Sequence, residues 1–76
     1  MSNECIECDE YSKILKMLIH RRKVRMLTQN EVGKKAGYAR RTITNWENKN
    51  RYPSIFALID WANSLGYKLT ITKIQD

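Results

Sequence analysis

The sequence predicts a mainly α-helical protein, a compact bundle of four helices followed by one C-terminal strand. Apolar residues recur at spacings of three and four through most of the 76 residues, which is the period of amphipathic helices. From residue 67 to residue 72 apolar and polar side chains alternate, which is typical of a strand. We divide the chain into an irregular acidic arm (1–9), a helical domain (10–66) and a C-terminal segment (67–76).

The first two helices have distinct boundary signals. An apolar face with helical spacing predicts the first helix over about residues 10–25. Thr28 can cap the second helix, and Glu31 three residues later completes a capping box. We expect this helix to end at Gly37, because glycine readily adopts the left-handed conformation that terminates many helices.

The last two helices are predicted from their apolar faces and from proline and glycine. The third should cover about residues 40–48, and the fourth should begin near Pro53 and end at Gly66. The apolar face of the fourth helix comprises Ile55, Leu58, Ile59, Ala62 and Leu65.

Charge is distributed unevenly along the chain, whose formal net charge is +6. Residues 1–10 contain four acids and no base, whereas the remainder carries all 14 Lys and Arg against four acids. A basic body attracts polyanions such as nucleic acid. No apolar run is long enough to span a membrane, and the acidic N-terminus is unlike a secretory leader. We therefore expect a cytoplasmic protein without membrane contact.

The two cysteines, Cys5 and Cys8, form a single C-x-x-C in the arm. A structural zinc site needs four ligands, and no second pair or histidine lies nearby. We expect two free thiols, and a metal shared between two subunits is the alternative. His20 has no accompanying nucleophile, so no catalytic residue, metal or cofactor is predicted.

Residues 29–48 have the spacing of two short helices joined by a tight turn. The fifth residue, Gly33, is small, as expected where the two helices pack closely. The ninth, Gly37, tolerates the positive φ of the turn. Ile43 and Trp46 lie three residues apart and can anchor the second helix to the core. This pattern predicts a helix-turn-helix that binds the major groove of DNA.

The outward face of the second helix carries side chains suited to reading bases. Arginine pairs with guanine, asparagine with adenine, and threonine offers a hydroxyl and a methyl group. Any one of these residues alone would be consistent with an ordinary solvated face. An RNA-binding function is disfavoured, because no sheet with exposed aromatic residues is predicted. The predicted base-reading residues are Arg40, Arg41, Thr44 and Asn45.

Residues 11–66 resemble the Cro/C1-type helix-turn-helix family, also called Xre-like, which includes the lambdoid phage repressors. The similarity lies in L-T-Q-N-E-V at residues 27–32, in Gly37 and Ile43, and in W-E-N at residues 46–48 followed by Pro53. The resemblance implies a lambda-repressor-like bundle that binds double-stranded DNA, usually as a dimer on a pseudo-palindromic operator.

The resemblance also implies roles for individual residues. It pairs Arg22 with Glu47 as a buried ion pair, and both residues fall on inward helix positions, where a charge needs a partner. It places the start of the second helix and the loop after the third helix on DNA phosphates. The predicted phosphate-binding residues are Thr28, Gln29, Asn48, Lys49, Asn50 and Arg51.

Three positions depart from the family pattern. The family usually has glycine where Met26 and Lys49 stand, and Ser or Thr where Ala39 precedes the third helix. We therefore expect the third helix to lack a side-chain cap. We also expect either an unusual backbone conformation at Lys49 or a different loop.

The C-terminal segment is predicted to assemble two subunits. Tyr67, Leu69 and Ile71 form one apolar strand face, yet no second strand exists in the chain. Antiparallel pairing with the same segment of a second subunit would give this strand the partner that it lacks. Dimerisation through the fourth helix around Trp61 is the competing hypothesis.

These features favour a dimeric transcriptional repressor. The strand-like ending also resembles the antitoxin branch of the family. The alternative is therefore an antitoxin that binds a toxin protein through the arm or the C-terminal segment and represses its own operon.

Overall fold

A computed structural model describes residues 9–74 as four α-helices. They are α1 (Asp9–Val24), α2 (Gln29–Ala36), α3 (Arg40–Glu47) and α4 (Ile55–Ser64). The four predicted helices are confirmed, with ends that differ from the predictions by one or two residues. None of these helices is long and apolar enough to cross a membrane.

One hydrophobic core joins all four helices, because each contributes buried apolar residues. Trp61 is completely buried at the centre, and its ring lies 5.2 Å from that of Trp46. Trp61 itself is therefore a core residue and cannot contact a second subunit, whereas dimerisation through other residues of the fourth helix stays a prediction. The buried core residues are Leu15, Leu18, Val32, Ile43, Trp46, Ala57, Leu58, Trp61, Ala62 and Leu65.

All four helices are followed by a residue in the left-handed conformation. These residues are Met26 (φ 58°), Gly37 (φ 90°), Lys49 (φ 64°) and Gly66 (φ 85°). In each case the next residue's amide donates to a carbonyl five positions back, at 2.8–3.0 Å, which satisfies an otherwise free helix-end carbonyl. Of the two alternatives expected at Lys49, the unusual backbone conformation is the one observed, and Met26 adopts it as well. Only the two glycines adopt this conformation without strain.

The C-terminal segment forms no strand within residues 9–74, so the predicted strand is absent from the single chain. A strand ladder requires a second strand for its hydrogen bonds, and none is available there. Tyr67 and Leu69 pack against the core, whereas Ile71 is fully exposed. Arg21 holds the end of α4 through its Nε, which donates to the Leu65 carbonyl at 3.2 Å, and its guanidinium lies 5.6 Å from the centre of the Tyr67 ring.

The left-handed Met26 leads to a stability prediction. Met26→Gly should raise the free energy of unfolding by about 0.5–1 kcal/mol, because glycine relieves a strain of about 1–2 kcal/mol and loses part of that gain through its freer unfolded state. Met26 is 88% exposed, so little packing is lost. Urea unfolding measures the change.

The matched control is Val24→Gly in the last turn of α1, where the exposed side chain has helical geometry. Glycine should lower stability there by about 0.5–1 kcal/mol. Destabilisation by Met26→Gly equal to that of the control would contradict the strain argument.

Candidate nucleic-acid interface

Gly33 allows the turn between α2 and α3 to pass directly over α2. A Cβ atom added at Gly33 would lie 2.5 Å from the Tyr38 carbonyl oxygen, a distance that real Cβ atoms do not show. The Gly33 carbonyl accepts the amides of Gly37 and Tyr38, each at 2.8 Å. The small residue is therefore required by the backbone of the turn. We had expected the opposing helix to impose that requirement.

The inner face of α3 is anchored in the core by Ile43 and Trp46, which are 0% and 5% exposed. The Tyr38 ring packs edge-on against Trp46, with the ring centroids 5.1 Å apart. Ala39 provides no side-chain cap, as the sequence indicated. The helix therefore begins without a side-chain hydrogen bond at its cap. Its orientation depends instead on the burial of these apolar side chains.

Glu47 connects three helices through one carboxylate. Arg22 of α1 donates to it twice, from Nε to Oε2 at 2.7 Å and from Nη2 to Oε1 at 3.0 Å. The Gln29 amide of α2 donates to Oε1 at 3.0 Å. Arg22 also donates to the Leu27 carbonyl at 2.9 Å. The side chains of Arg22 and Glu47 are only 14% and 7% exposed, so these bonds are largely shielded from water.

The same network engages two residues that were predicted to contact DNA. The Thr44 hydroxyl lies 2.5 Å from Gln29 Oε1 and 3.1 Å from the Arg40 carbonyl, and its single proton can serve only one acceptor at a time. The shorter contact points to Gln29. What remains for a ligand is the second N–H of the Gln29 amide, the Thr44 methyl group and the Thr44 hydroxyl oxygen as an acceptor.

Apart from Thr28 at the start of α2, the other predicted DNA contacts belong to α3 and the loop that follows it. Arg40 and Arg41 are exposed, and Asn45 is half-buried. The Thr28 hydroxyl accepts the Glu31 amide at 3.0 Å, which confirms the capping box. The exposed loop residues are Asn48, Lys49, Asn50 and Arg51.

A polar recess of about 300 Å³ lies between α3 and this loop, and sequence reasoning had not identified it. Tyr52 forms part of its wall and meets Tyr11 of α1 edge-on at 5.5 Å. The only sequence signal for Tyr52 was its position before Pro53. The residues that line the recess are Thr42, Asn45, Trp46, Arg51 and Tyr52.

The profile of the Cro/C1-type helix-turn-helix family matches residues 18–71, from the middle of α1 into the C-terminal segment. The chain belongs to this family. The resemblance seen in the sequence is thereby confirmed. The family is a non-enzymatic, DNA-binding one, and membership implies a DNA partner. No match was found among curated proteins or among solved structures.

The turn of this Cro/C1-type domain is also fastened to α4 by a contact that the sequence did not reveal. The Tyr38 hydroxyl donates to Asp60 Oδ2 at 3.1 Å. Partial desolvation and the neighbouring carboxylate raise the pKa of the Tyr38 hydroxyl above its ordinary value, so it stays protonated and continues to donate at neutral pH. The two residues are 22 positions apart, and no local pattern links them.

No cluster of three His, Cys, Asp or Glu side chains that could hold a metal ion occurs within residues 9–74. The thiols of Cys5 and Cys8 lie outside the described residues. Their predicted free state therefore stays a prediction.

Removal of the Glu47 carboxylate should damage the whole domain. Glu47→Ala leaves the Arg22 guanidinium without its ion-pair partner in a shielded position, and breaking such a pair costs about 3–5 kcal/mol. Thermal melting should show a fall in Tm of 10 °C or more, at about 4–8 °C per kcal/mol for a domain of this size.

Glu31→Ala is the matched control, because it also removes one carboxylate but one that is exposed and serves only the capping box. It should cost about 1 kcal/mol. Equal losses for the two variants would show that the network around Glu47 contributes no more than a helix cap.

Proposed function

We propose that this Cro/C1-type domain is a cytoplasmic transcriptional repressor that binds an inverted-repeat operator as a dimer, with α3 in the major groove. The observation that carries the proposal is the two-sided construction of α3. Its inner face is fixed by buried Ile43 and Trp46, while Arg40 and Arg41 project from its first turn into solvent. A reading helix needs this combination, since base contacts are made by its N-terminal residues.

In this proposal the side chains divide into two groups with different tasks. Arg40 and Arg41 bind guanine edges, Asn45 binds adenine, and the Thr44 methyl packs against a thymine methyl group. Phosphate contacts from the second group hold the domain in register on the duplex. That group comprises Thr28, Gln29, Asn48, Lys49, Asn50 and Arg51.

Repression follows from occupancy of the operator. Two subunits related by a twofold axis would place their α3 helices about 34 Å apart, one turn of DNA. A dimer bound across a promoter blocks access of the polymerase. We assign dimerisation to the C-terminal segment, where Tyr67 and Leu69 position the chain on its own core and Ile71 remains exposed for the second subunit.

An antitoxin function is the second candidate, and it differs only in requiring a toxin bound to the arm or the C-terminal segment. The arm lies outside the described residues. In the segment, Ile74 is 81% exposed and offers an apolar contact to such a partner. Copurification of a stoichiometric second protein would favour this function over simple repression.

The proposed division of tasks is tested by comparing substitutions in the two groups. Arg40→Ala and Arg41→Ala should each cost about 1–3 kcal/mol on the preferred duplex and much less on a scrambled one. Arg51→Ala should weaken binding to both duplexes similarly and reduce the slope of log K against log salt by about one.

Titrations at two salt concentrations on both duplexes provide the comparison. Each of these variants removes one positive charge, so Arg51→Ala is the matched control for the loss of charge itself. If Arg40→Ala and Arg41→Ala weakened the two duplexes equally, α3 would not be reading bases.

A further inference from the structure

Helix α4 is apolar on two faces, although only one of them is needed by the core. Ala57, Leu58, Trp61 and Ala62 are buried. On the other face, Ile55, Phe56 and Ile59 are 60%, 77% and 37% exposed. Asp60 and Asn63 are also exposed on this helix, but a group of large apolar side chains at a protein surface is typical of an interaction site. The outer face of α4 therefore lacks a covering partner within residues 9–74.

The exposed residues of α4 adjoin the C-terminal segment. Ile71 of that segment is fully exposed. We call Ile55, Phe56, Ile59 and Ile71 the α4 patch. A groove of about 450 Å³ runs between α4 and the segment, and its floor includes Ile14, Leu58 and Leu69. Projecting side chains and a groove thus lie side by side on one surface.

We propose that the α4 patch is a self-complementary seam that binds the α4 patch of a second copy of this chain. This inference rests on the proposed dimeric repressor and specifies which surface joins its two subunits. A twofold interface uses the same patch on both partners, so each projection must find a recess on that patch. Phe56, the most exposed of the three apolar α4 side chains, would enter the groove of the partner while the partner's own Phe56 enters the first.

Charge favours a second copy over DNA as the occupant. Residues 52–67 contain no Lys or Arg and one acid, whereas the whole chain carries 14 basic residues. DNA binding depends on phosphate contacts from basic side chains. Neither the α4 patch nor the lining of the groove includes one, and the nearest in sequence within the C-terminal segment are Lys68 and Lys73. Two cationic copies repel each other least where their basic residues are absent.

The size of the patch suits a dimer seam. Stable interfaces bury about 800 Å² on each partner, and one large aromatic side chain alone supplies roughly 150–250 Å². Four large apolar side chains that each expose more than a third of their surface, together with the groove, supply much of this area. The paired C-terminal segments would border the same seam, because Leu69 and Ile71 line the groove.

The test is the oligomeric state of full-length variants, measured by sedimentation over a range of concentrations. Phe56→Glu should weaken the dimer by about 100-fold or more, because it places two charges in the centre of the seam. Val24→Glu is the matched control, since Val24 is 59% exposed at the end of α1 and the substitution adds the same charge. Circular dichroism verifies that both variants are folded.

A chain that ends at Leu69 keeps the core contacts of the segment but lacks Ile71, and it should dimerise more weakly than the parent. A parent dimer that becomes monomeric with Phe56→Glu and stays dimeric with Val24→Glu would support the seam. A folded Phe56→Glu variant that dimerises as tightly as the parent would overturn it and leave the dimeric repressor intact. A parent chain that is monomeric at every concentration would overturn both the seam and the proposed dimer.

Discussion

The carboxylate of Glu47 is the point on which the arrangement of the first three helices depends. It accepts two hydrogen bonds from Arg22 and one from Gln29, so α1, α2 and α3 meet at a single side chain that is 7% exposed. Glu47 is the last residue of α3, and its partners fix how that helix lies on the other two. Because the proposed reading face belongs to the same eight-residue helix, the position of Arg40 and Arg41 follows from this contact and from the burial of Ile43 and Trp46.

The domain has two surfaces that differ in charge and polarity. The side formed by α3 and the following loop presents exposed basic and polar residues, and it includes the recess beside Tyr52. The outer face of α4 carries no basic residue and several exposed apolar ones. In the proposed dimer this division would keep the contacts between subunits from competing with phosphates for the same side chains. The hydrogen bond from the Tyr38 hydroxyl to Asp60 links the turn before α3 to helix α4.

The parts of this structure that could be predicted from sequence are those specified by near neighbours. The capping box of Thr28 and Glu31 and the turn at Gly37 depend on residues within a few positions, and both are present. The unsupported cap at Ala39 and the positive φ at Lys49 followed from the family resemblance. Contacts between distant residues were harder to anticipate: the burial of Trp61 depends on how four helices close around it. The C-terminal strand was expected from an alternating pattern, but a ladder needs a partner that one chain lacks.

The central claim is that α3 enters the major groove and reads guanines there. Methylation interference on a duplex selected by the protein from random sequence tests it most directly. Methyl groups at guanine N7 lie in the major groove, where arginine binds, whereas those at adenine N3 lie in the minor groove. If α3 reads guanines, N7 methylation should block binding in two clusters about 10 base pairs apart, and N3 methylation should have no effect. Interference confined to adenine N3, or none at guanine N7, would contradict it.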